Sequence, residues 1–211
     1  METIKNILGT TKLFTQNSKI KKTSKKFGIK LVNFGIPAYK SITGKVICPF
    51  ADSCVKYCYA CNGAYVWSNV KAAFEKRYQA TKSDYFVFFA IAALQRSKAN
   101  YVRIHDSGDF YSKAYRDKWI AIAQALPNVK FYAYTKSHDM FRGVTLPDNM
   151  DIIYSEGSKL DSKLDRQTER HAKIFNSVEE LQAAGYVDAS EYDLFATKWF
   201  ADSHKIGLIY H

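Results

Sequence analysis

Hydrophobic and polar positions change rhythm several times along this chain, and each change predicts an element. From Ile29 to Tyr39 the residues are mostly apolar, punctuated by Gly28, Gly35 and Pro37, which predicts extended chain. Ser68 or Asn69 then caps a helix to about Thr81, and Ser83 with Asp84 caps a second to about Lys98. The second contains the longest apolar run, the ten residues Tyr85 to Leu94, which predicts a buried helix. It is well short of the roughly 18 residues that cross a bilayer. Tyr101 to His105 alternates as a strand. A polar loop, DSGDFYS, follows, then a helix from about Lys113 to Leu126 closed by Pro127 and Asn128, then a strand from Val129 to Thr135. Strand, helix and strand joined by short connections predict a parallel pair with a right-handed crossover.

The alternation continues with strands at Asp151 to Ser155 and His171 to Phe175. Ser177 and Glu180 form a capping box for a helix from Val178 to Ala184 ended by Gly185, and the closing IGLIYH reads as a last strand. Such a pattern predicts an α/β fold, a partial (β/α) barrel or an open parallel sheet. The 211 residues fall short of the roughly 250 of a complete eightfold barrel.

Charge divides the chain. Residues 1–30 carry eight lysines against the single acid Glu2, within a net charge of +11. This predicts a basic N-terminal arm, residues 1–28, ahead of one metal-binding α/β domain, residues 29–211. An arm of this charge releases counterions on binding phosphates, so nucleic acid is the expected partner, and a solvated tail is the alternative. Seven arginines, from Arg77 to Arg170, are candidates for a phosphate-binding face. The opening METIKNILGTTK lacks the apolar core of a secretory signal, so the expected location is a reducing cytoplasm, with no membrane partner.

All four cysteines, Cys48, Cys54, Cys58 and Cys61, fall within fourteen residues. In a reducing compartment such clustering predicts metal ligands rather than disulfides, and thiolates suit zinc or an iron-sulfur cluster. Cys54, Cys58 and Cys61 have the C-x3-C-x2-C spacing that holds a 4Fe-4S cluster with one iron left open, with Cys48 as an alternative or fourth ligand. At the carboxyl end of the Tyr101 strand stands RIHDSGDFYS, where parallel sheets bind their ligands. Asp106 and His105 are the candidate catalytic residues there, and Ser107, Gly108 and Asp109 the candidate cofactor-binding ones. Asp109 or Ser112 is also a candidate cap for the helix that follows. Aromatic residues beside the cysteines, Tyr57, Tyr59, Tyr65 and Trp67, would either stack on bases or pack locally.

The ordered motifs T-x4-C-P, C-x3-C-Y-A, NVKAAFEKR, RIHDSGDFYS and FYAYTKS resemble the phage gene product eighty-eight family over about Ile29 to Ser155. That resemblance implies a phage origin and a host-cell cytoplasm. In that family Cys48, Cys54 and Cys58 match the shared cysteines. More distantly, the cysteine loop followed by Ser107, Gly108 and Asp109 is similar to the radical S-adenosylmethionine enzymes. It implies a radical-SAM-like fold binding S-adenosylmethionine, with Asp109 on its amine and Thr135 on a following strand. Asp106-Ser107-Gly108 also resembles the loop of guanine transglycosylases, which implies a zinc site and an Asp106 nucleophile partnered by Asp139 or Asp151. The expected function is an iron-sulfur enzyme acting on or near nucleic acid. The alternatives are a transglycosylase-like enzyme and a non-catalytic zinc or iron-sulfur nucleic-acid-binding protein.

Overall fold

A computed structural model describes residues 2–10 and 12–210. Met1 and Thr11, in the expected arm, and His211, at the end of IGLIYH, lie outside the described residues. Seven parallel strands form one sheet: β1 Leu31–Phe34, β2 Tyr101–Ile104, β3 Lys130–Thr135, β4 Met150–Ser155, β5 His171–Phe175, β6 Val187–Asp188 and β7 Lys205–Ile209. Their order is β1-β2-β3-β4-β5-β7-β6. Five consecutive strands side by side make the wall of a (β/α) barrel, and β7 and β6 end it unclosed, so the fold is a half-barrel.

Among the described residues six α-helices accompany the sheet: α1 Glu2–Leu8, α2 Ser18–Phe27, α3 Ser68–Thr81, α4 Phe86–Ser97, α5 Lys113–Ala125 and α6 Val178–Ala183. Among the described residues none is long and apolar enough to cross a membrane. Alternation along the strands sends Val32, Phe34, Val102, Ile104, Phe131 and Ala133 to one face. There they meet Tyr78 of α3, Phe86, Ala90 and Leu94 of α4, and Tyr115, Trp119 and Ile122 of α5. The opposite face presents Leu31, Tyr101 and Tyr132 to Ile20 of α2 and to Leu194.

Ser112, one of the two expected candidates, caps α5, its Oγ accepting from Tyr115 N at 3.2 Å. The starts of α3 and α4 differ from expectation. Neither Ser68 nor Asn69 caps α3, and α4 starts from Tyr85 without a side-chain cap. Ser177 caps α6 as expected. The apolar α4 buries Phe86, Ala90 and Leu94 and leaves Phe88 66% exposed.

The lysine-rich segment carries α1 and α2. Asn17 accepts from Ile20 N to start α2, and Gly28, at φ 63°, closes it. Leu8, Leu13 and Ile20 are buried, and Thr15 bridges to Asn33, covering the free edge of β1. Lys19 pairs with Asp193 at 3.0 Å and Lys22 with Glu191 at 2.9 Å, which leaves Lys5, Lys12, Lys21, Lys25, Lys26 and Lys30 as exposed charges.

Asp193 fastens this segment to the concave face. It takes Arg103 Nη1 of β2 on both oxygens, at 2.9 and 3.1 Å, and the hydroxyl of Tyr132 of β3. Burial opposes its charge, but Arg103 and Lys19 outweigh burial and hold the carboxyl down at about 2.

Candidate functional site

The chain leaves β1 through Gly35 and Ile36 and meets the loop that leaves β2. Asp106 N donates to Phe34 O at 3.1 Å and Ile36 N to Ser107 O at 3.0 Å. Gly108 makes that contact possible. Its φ is +85°, and an added Cβ would fall 2.4 Å from Ile36 Cγ1. The glycine expected to approach a ligand approaches the β1 exit.

The cysteine loop lies over these strand ends and is fixed at both sides. Tyr39 N donates to Cys48 Sγ at 3.3 Å. Across the pocket, Asp52 N donates to Gly157 O at 3.1 Å, and Lys159 N to Phe50 O at 2.9 Å, joining the loop to the exit of β4. Gly157 has φ +92°, and a Cβ there would stand 3.0 Å from Cys54 Cβ. Between these anchors Cys54 and Cys61 sit in 3₁₀ turns, Ser53–Tyr57 and Tyr59–Cys61, with Cys58 joining them.

Beneath the loop is a cavity of about 170 Å³. Cys48, Cys54 and Cys58 line it together with residues 105–109, Thr135, Lys136 and Ser155. The structure therefore gathers nine of the ten candidate site residues around one space at the carboxyl ends of β2, β3 and β4. The tenth, Cys61, is exposed and lines a neighbouring cavity instead. All four thiols are free of disulfides.

Asp109 is buried and bonded. Its Oδ1 accepts from Thr135 Oγ1 at 2.6 Å and Phe110 N at 2.7 Å, and its Oδ2 from Lys136 N at 2.9 Å. Burial nevertheless pushes the carboxyl up from its ordinary value. Asp109 and Thr135 thus pin the β2 exit to the β3 exit. Asp106 Oδ2 accepts from Asn17 at 3.3 Å, and its Oδ1 is buried without a partner. The Asp106 carbonyl receives the hydroxyl of Tyr59. Ser107 Oγ is also buried and unpartnered. His105, at φ 67°, packs its ring on Phe110 and Tyr115 and shares a 2.9 Å hydrogen bond with the Tyr115 hydroxyl. Burial, and then the Arg103 charge, lower it to about 3, so it is neutral at any ordinary pH.

Burial also pushes the Cys54 and Cys48 thiols up. Lys136 acts against this at Cys54, and the Asp109 charge adds to it at Cys48. Lys136, which lines the same cavity, reaches Ser155 Oγ at 2.5 Å. Ser155 and Gly157 were not among the sequence candidates. Their place at the end of β4 is the signal that would have found them.

Five of the seven arginines are held by partners within the fold. Arg103, Arg142, Arg166 and Arg170 pair with Asp193, Asp139 and Glu169, Glu156, and Asp151, while Arg77 donates to Gly35 O. Asp139 and Asp151 are held in these pairs and do not line the cavity with Asp106.

Cys48, Cys54 and Cys58 line one space with Asp106 and Ser107, and three thiols are the donor type that a thiolate-held centre uses. As they lie, however, no three His, Cys, Asp or Glu side chains among the described residues form a metal-binding group. Fold and site together define an open parallel α/β protein with a thiol-lined pocket at its strand ends. The chain belongs to the Gene product 88 family, the phage gene product family its motifs resemble, whose model matches residues 7–208. The match extends the resemblance from Ile29–Ser155 back into α1 and forward into β7. No curated protein and no solved structure matches.

Proposed function

We propose that this protein is an iron-sulfur enzyme whose cluster is held by Cys48, Cys54 and Cys58. The observation that carries this reading is the shared cavity, which those three thiols line together with Asp106 and Ser107, each of which carries a buried oxygen without a partner. Buried polar atoms without partners are costly, and a ligand that bonds them removes the cost. A 4Fe-4S cluster with three protein ligands supplies one-electron chemistry and leaves one iron for a small polar cofactor, of which S-adenosylmethionine is our candidate.

The surrounding residues bind and orient. Asp109 and Thr135 hold the pocket floor rigid. Ser107 and Asp106 offer hydrogen-bonding atoms, and Lys136 with Ser155 offers a positive group to an anionic part of the bound molecule. Tyr59, which lines the cavity, keeps the Asp106 backbone in place.

The test is anaerobic purification with iron, sulfide and zinc analysis, followed by electron paramagnetic resonance with and without S-adenosylmethionine. We expect about four irons per chain and a spectrum that changes on adding the cofactor. Cys48→Ala and Cys58→Ala should abolish the centre, and Cys61→Ala should retain it. Stoichiometric zinc without iron would overturn the iron-sulfur reading, and equal loss in Cys61→Ala would make Cys61 a fourth ligand and close the centre.

A further inference from the structure

Beside the thiol pocket lies a second cavity, of about 280 Å³, to which the proposed chemistry assigns no role. Ala38 and Ala60 line both spaces, so they share a wall. The second is lined by Tyr65 and Phe74, by exposed Cys61, and by two exposed lysines, Lys40 and Lys71. Among the described residues neither lysine makes an ion pair. The nearby acid on α3, Glu75, is buried, and its carboxylate is occupied in accepting from Ile42 N at 3.2 Å and Gln79 at 2.7 Å.

Aromatic rings connect the two cavities. Tyr59, on the wall of the thiol pocket, stands edge-on to Tyr65 at 5.5 Å, and Tyr65 stacks on Phe74 at 5.8 Å with an interplanar angle of 22°. Trp67, next in chain to a residue of the lining, is 62% exposed. An exposed indole and a half-buried tyrosine ring beside two lysines without acid partners suit a ligand with flat π faces and negative charges at short intervals. A duplex hides its base faces, whereas a single strand offers them.

We propose that this second cavity binds single-stranded nucleic acid, with a base against Tyr65 or Trp67 and the flanking phosphates on Lys40 and Lys71. The inference rests on the function proposed above and names the substrate class for that site. It moves the expected nucleic-acid contact from the N-terminal lysines to the mouth of the thiol pocket, where a strand would reach the chemistry.

The test uses the full-length protein, fluorescein-labelled single-stranded dT and rA oligonucleotides and the corresponding duplex, with anisotropy measured across a salt series. Lys40→Glu with Lys71→Glu should weaken single-strand binding about tenfold or more and reduce the salt slope by about 1.4, near 0.7 for each phosphate left without its lysine. Trp67→Ala should weaken it about fivefold or more. Lys21→Glu with Lys25→Glu, on the exposed side of α2, serves as the comparison and should have the smaller effect. Circular dichroism confirms folding of each variant. Unchanged binding in the Lys40/Lys71 variant, a larger loss in the Lys21/Lys25 variant, or equal affinity for duplex would overturn the proposal. Cys58→Ala separates the two readings, because it should lose the metal and still bind the oligonucleotide.

Discussion

Gly108, Asp109 and His105 show how closely the strand-end loop is specified residue by residue. Replacing Gly108 by alanine would place a methyl 2.4 Å from Ile36 at φ +85°. We expect a loss of about 1–3 kcal/mol in urea unfolding. Asp109→Asn would turn an amide N–H toward the donors of Thr135, Lys136 and Phe110. A cost of about 1–3 kcal/mol is expected from the same measurement. His105 makes a pH prediction. Its folded value is about 3 against the ordinary 6.5, so below pH 6.5 the unfolded chain takes up a proton that the native state refuses. Stability should therefore fall, by on the order of 1 kcal/mol per pH unit from this residue, as pH drops from 6.5 toward 3. His105→Asn, which tolerates the left-handed backbone, should flatten that slope in urea titrations at a series of pH values.

Helix α2 illustrates what patterning misses at the scale of an element. Its Asn17 cap and Gly28 stop are local signals that the sequence reading passed over, because lysines occupy six of residues 19–30 and give the segment the look of a free arm. Only Ile20 and Thr23 need burial to dock a short helix, provided its charges find partners. Lys19 does, on Asp193, which waits far along the chain. Asp193→Asn should destabilise the protein by about 3–5 kcal/mol, because it leaves Arg103 buried without its counter-charge. The sign of the acid response follows from the depressed carboxyl. Its contribution is complete above the unfolded value of 3.8 and is lost as pH falls through about 2, so the wild type should lose this part of its stability between about pH 4 and 2. The Asn variant should show no such component. The strands β2 to β5 and helix α5 were legible because each is periodic by itself. The two-residue β6 was not, since its pairing with β7 supplies nearly all its definition.

For the whole molecule, the half-barrel is closed off by its own N-terminal segment and the turn at Asp193–Ala196, which cover the concave face. Removing residues 1–28 would uncover Leu31 and Tyr132 and take Lys19 from Asp193. The truncated chain should show a lower urea midpoint and more aggregation than the full one, as measured by light scattering. An unchanged midpoint would mean that the segment is a detachable arm after all. The sequence alone determined the α/β alternation, the clustering of four thiols and the loop that ends β2, because those depend on local periodicity and on neighbours a few residues apart. The tertiary structure alone decided that Cys48, Cys54 and Cys58 share a cavity while Cys61 faces the next. It also decided that Asp109 is a pin and that most arginines are spent on internal pairs. Those outcomes depend on which strand ends meet in space, and the contacts between residues dozens of positions apart leave no periodic trace in the chain.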